Sequence, residues 1–61
     1  MEIIEKPPKM KLRSAVDMYF AGHPHEVIVG LMTKEGREFW FRRDPKTGEP
    51  IKISRSQAES M

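Results

Sequence analysis

Apolar positions recur every three to four residues between Leu12 and Phe20, then shift toward alternation from Val27 onward. Leu12, Ala15, Val16, Tyr19 and Phe20 share one face of a helix predicted over residues 11–22, and Lys11, Ser14 and Asp17 fall largely off that face. Gly22 offers a left-handed end, and Pro24 prevents helical continuation soon afterward. No good N-cap residue precedes Leu12, so the pattern leaves the helix start open. Three segments rich in β-formers follow, at about 26–32, 37–43 and 50–54. Lys34-Glu35-Gly36 and Lys46-Thr47-Gly48 separate them, and each triplet fits a three-residue hairpin loop closed by a left-handed Gly. The predicted fold class is α+β: one α-helix packed on a three-stranded antiparallel β-meander. Residues 1–10 read as an extended N-terminal arm, with Ile3 and Ile4 ahead of Pro7-Pro8, and residues 11–61 as a single small domain. The tail SRSQAESM reads as a short C-terminal helix capped by Ser54 or Ser56, and Ser56 has Glu59 at capping-box spacing.

The side-chain pattern also argues for a register. With Lys34-Glu35-Gly36 as the first loop, Leu31 opposes Phe39 and Val29 opposes Phe41. The same loop type at Lys46-Thr47-Gly48 sets Ile53 opposite Phe41 and Ile51 opposite Arg43. Val27, Val29, Leu31, Phe39, Phe41, Ile51 and Ile53 then form one core surface with the helix as its lid. A competing four-residue loop begins at Asp44, with the Asp accepting the first turn hydrogen bond and Pro45 preset at the next position. That loop opposes Arg42 with Ile51 and Trp40 with Ile53. The one-sided core favours the first arrangement.

The opposite face then carries Ile28, Gly30, Met32, Glu38, Trp40, Arg42, Lys52 and Ser54. Gly30 lies across from Trp40, where a missing side chain lets the indole lie over the neighbouring strand. Trp40 is therefore expected to point away from the main core, on an open face. Trp40, Arg42, Lys52, Ile28, Met32 and Arg43 are the candidate binding residues. The leading expectation is a small non-enzymatic regulator or adaptor that binds a protein partner, or a second copy of itself, through this face, since Trp and Arg anchor interfaces and Met adapts to varied shapes. The alternative is single-stranded nucleic acid, with Trp40 stacking on a base and Arg42, Lys52 and Arg43 meeting phosphates. Cover by the N-terminal arm is the structural competitor.

Composition narrows the classes further. A 61-residue chain buries only about 60% of the surface its unfolded form exposes. Lys and Arg total 11 against 9 Asp and Glu, and the excess lies in residues 31–61 with seven basic and five acidic groups. That is a weak lean toward polyanions. The absence of cysteine removes disulfides and thiolate metal sites, and fits a reducing, cytoplasmic setting. No apolar run approaches the roughly 20 residues of a membrane span. His23, His25 and Glu26, with Asp17 more distant, are too few and too close in sequence to enclose an ion. No cofactor, metal or small-molecule substrate is expected. Nor does any motif pair Ser14, Ser54 or Ser56 with a histidine and an orienting acid, so catalysis is not expected either.

Overall fold

The computed structural model describes residues 3–7 and 9–60. Its elements in chain order are β1 (Ile3–Glu5), α1 (Leu12–Gly22), β2 (Ile28–Met32), β3 (Glu38–Arg43), β4 (Pro50–Ile53) and α2 (Arg55–Ser60). The α+β class, with a helix over a β2-β3-β4 meander, is the predicted one. The arm contributes a fourth strand: β1 runs parallel to β2, pairing Ile3 with Gly30, Ile4 with Leu31 and Glu5 with Met32. The sheet order is β1-β2-β3-β4. Helix α1 lies in the crossover that a parallel neighbour requires. Ile4 packs against the main core, which gives this three-residue strand a reason to stay.

Helix α1 buries Ala15, Val16, Tyr19 and Phe20 against Val29, Leu31 and Phe41. Val16, Val29 and Leu31 are wholly inaccessible, each contributing about 1.5–3 kcal/mol of burial. Lys11 stands at the N-cap in extended conformation and makes no side-chain cap. The other end is tied from the sheet. Arg43 donates from Nη1 to the Pro24 carbonyl at 2.7 Å and from Nη2 to the Phe20 carbonyl at 2.8 Å. Its guanidinium also lies 4.7 Å from the centre of the Phe20 ring.

The first hairpin has the predicted register, with Val29 opposite Phe41 and Leu31 opposite Phe39. Gly36 closes its loop at φ 84°. The second hairpin takes the competing arrangement: Trp40 opposes Ile53, Phe41 opposes Lys52 and Arg42 opposes Ile51. Turn chemistry decides it. Asp44 Oδ1 accepts from the Lys46 amide at 2.7 Å, its carbonyl accepts from Gly48 at 2.8 Å, and its own amide donates to Glu49 at 2.9 Å. These bonds outweigh the gain from a one-sided core, and the shift moves Ile51 and Ile53 to the Trp40 side of the sheet.

Helix α2 meets them there. Ser54 and Gln57 form a reciprocal capping box: the Ser54 amide donates to Gln57 Oε1 at 2.9 Å and the Gln57 amide to Ser54 Oγ at 3.1 Å. Ser54 is thus the cap, and Glu59 pairs with Arg55 instead. Ala58, entirely buried, packs with Ile28 and Trp40 and with the partly buried Ile53.

Candidate functional site

The face carrying Trp40 does lie opposite the main core, but it is not open. Trp40 is only 6% exposed. Its indole rests on Gly30, so near that a Cβ there would stand 2.7 Å from two ring carbons. Nε1 donates to Glu38 Oε1. Glu38 Oε2 in turn faces Arg55 of α2 at 3.7 Å. The expected exposed binding surface around Trp40 is corrected on this point: Ala58 of α2 packs on the indole, and Trp40 with Ile28 belongs to a second small core.

The six predicted binding residues separate. Ile28 is buried with Trp40. Met32 stays 39% exposed on the same face. Lys52 lies on the α1 side, its ammonium 5.1 Å from the centre of the Phe39 ring, because the second hairpin slipped by one residue. Arg43 is committed to the end of α1. Of the predicted cations Arg42 alone stays on the Trp40 face, where Arg55 of α2 is paired with Glu38 and Glu59, so the predicted cations and the indole do not converge as base stacking with phosphate contacts requires. His23 is also engaged: its Nδ1 lies 2.9 Å from the Tyr19 carbonyl, to which it donates. Its ring stacks on Tyr19. Among the described residues no three His, Asp or Glu side chains come together to hold a metal ion, and no helix is long and apolar enough to cross a membrane.

Two accessible features of this face bear on binding. One is a groove of about 390 Å³ lined by Arg42, Ile53 and the α2 residues Ser56, Gln57 and Ser60. Arg42 is half-buried there and has no ion pair or side-chain hydrogen bond among the described residues. The other is the patch on β1 and β2 where Ile3 is 47% and Met32 39% exposed. Glu5 pairs with Met32 across the strands, so its carboxylate belongs to this patch. It has no ion pair among the described residues. Helix α2 packs over β3 and separates the two. The pattern of the sequence could not show this arrangement, because Ala58 is the one apolar side chain of α2 and gives no periodic signal.

No family model matches the chain, nor does any curated protein or solved structure.

Proposed function

We propose that this chain is a small non-enzymatic binding protein that acts by protein–protein contact, and that its α2-bearing face associates with a second copy of the same chain. The observation that carries the reading is complementarity within one face. The Arg42 guanidinium lines an apolar-floored groove on one side of α2, and the Glu5 carboxylate stands beside Ile3 and Met32 on the other, neither in an ion pair among the described residues. A two-fold axis near α2 sets each patch against its counterpart on the partner, as a closed isologous pair requires. Glu5 then meets Arg42 of the second copy, and Ile3 and Met32 cover its groove. Lys52 and Pro50 disfavour edge-to-edge strand pairing at the β4 edge. A cytoplasmic setting suits a chain without cysteine.

The test is a charge-swap cycle read by sedimentation. Glu5→Arg and Arg42→Glu each place like charges in the contact and are expected to weaken self-association at least tenfold. The double variant restores the opposite pairing and should recover most of the loss. If both single variants associate like the wild type, or the double is no better than either single, this mode of contact is wrong.

A further inference from the structure

Cations without an ion pair among the described residues gather beside the Glu5–Met32 end of the sheet, on its α1 side. One depression of about 410 Å³ is lined by Lys6, Leu12, Thr33, Glu35, Arg37 and Phe39. An adjoining one of about 110 Å³ shares Lys6, Thr33 and Glu35 and adds Lys9 and Lys34. Two separate segments therefore deliver positive charge to one place: the β1–α1 connection, with Lys6 and Lys9, and the loop between β2 and β3, with Lys34 and Arg37. None of Lys6, Lys9, Lys34 and Arg37 has an ion pair or a side-chain hydrogen bond among the described residues. Glu35 is the one acid in either lining. Its carboxyl is held below its ordinary value first by its own backbone amide, then by Thr33, with a smaller part from Lys6 and Arg37.

The backbone at Lys9 adds an independent observation. It sits at φ 64°, the only non-glycine residue with positive φ among the described residues. That conformation ordinarily favours Gly or Asn. The turn that the Met10 amide closes on the Pro7 carbonyl at 3.4 Å holds Lys9 there and sets its cation at the rim of the groove.

We infer that this basic groove, on the α1 side of the sheet, is a binding site for single-stranded nucleic acid, lined by residues other than those proposed for the self-contact. The cations are spread along two adjoining depressions, which suits the repeated phosphates of a strand better than one isolated anion. The half-buried ring of Phe39 lines the larger depression, and aromatic rings in basic grooves are where bases stack. Lys52, exposed and standing over that ring, can swing aside to a phosphate as a base arrives. Trp40 takes no part, because it lies buried on the other face of the sheet.

The experiment is fluorescence anisotropy of a labelled single-stranded oligonucleotide of about ten nucleotides, titrated with the full chain at low salt and again at rising salt. Three or four phosphate contacts predict a log–log salt slope of about −2 to −3. Lys34→Glu with Arg37→Glu is expected to weaken binding at least tenfold. Lys9→Gly removes a cation while easing the backbone, so affinity should fall severalfold with no loss of thermal stability. Trp40 emission should not change on binding. Absence of binding at low salt overturns the inference, and so does affinity untouched by these substitutions. Quenching of Trp40 moves the site to the α2 face. Equal affinity for polyglutamate shows that the groove takes acidic protein and not nucleic acid.

Discussion

The contact between Gly30 and Trp40 makes a demanding prediction about the second core. In Gly30→Ala the new methyl carbon would stand 2.7 Å from two indole carbons and 2.9 Å from a third. The indole cannot swing clear cheaply, since Ile28 and Ala58 pack around it and Glu38 holds its N–H. Overpacking of this kind costs about 1–3 kcal/mol. Replacing Gly by Ala in a strand returns roughly 0.5–1 kcal/mol through lower backbone entropy. The net expectation is a loss of about 1–2 kcal/mol, a large part of the roughly 3–9 kcal/mol available to a chain of this length. At about 4–8 °C per kcal/mol, the melting temperature should fall by at least several degrees. The assay is thermal and urea unfolding followed by circular dichroism and by Trp40 emission. In a Trp40→Phe background the shorter ring leaves room for the methyl group, so the same substitution should cost about 1 kcal/mol less. An unchanged or raised melting temperature for Gly30→Ala would refute the packing described for Trp40. Equal cost in both backgrounds would show that the indole is not what the methyl group meets.

Two further predictions concern the connections. Arg43→Ala removes three charge-assisted hydrogen bonds to carbonyls at the end of α1 together with the stacking on Phe20. It should destabilise the chain by about 1.5–3 kcal/mol, and Arg43→Lys should recover little, because an ammonium cannot span the fork; full recovery by Lys in urea unfolding would contradict this. Asp44 is held below its ordinary value of 3.8, chiefly by the Lys46 amide and then by that of Thr47. The unfolded chain therefore takes up this proton first as pH falls, so the contribution is complete above that value and lost below it as pH falls through the folded value. Asp44→Asn keeps an acceptor for the Lys46 amide. The stability gap between wild type and variant should narrow from about pH 5 downward, and a gap independent of pH would remove the carboxylate from the account.

How far the sequence disclosed these features depended on how strong each local signal was. The first hairpin was legible because Gly36 closes the expected loop and the alternating residues on both sides agree with it. At the second hairpin two signals conflicted. Pattern favoured Ile53 opposite Phe41, whereas Asp44 and Pro45 favoured the longer loop, and the hydrogen bonds around Asp44 prevailed. The slip costs little because Ile53 finds a second core under α2 and Lys52, on an edge strand, rests over Phe39. That second core was invisible in advance, since a six-residue helix with one alanine has no periodicity to detect. The same gap made Trp40 look like an open anchor. The basic groove was equally hidden: Lys6, Lys9, Lys34 and Arg37 lie in two connections, and the parallel pairing of β1 with β2 brings them together.

Molar mass in solution across a concentration series from about 1 μM to about 1 mM, with Trp40 emission recorded on the same samples, decides whether the α2 face joins two copies of the chain. Self-association through the α2 face predicts a transition from monomer to dimer, with emission already blue-shifted in the monomer and unchanged through the transition, because the indole is buried within each chain. A chain that stays monomeric to the highest concentration contradicts the proposed contact. Red-shifted emission in the monomer contradicts the burial of Trp40 beneath α2.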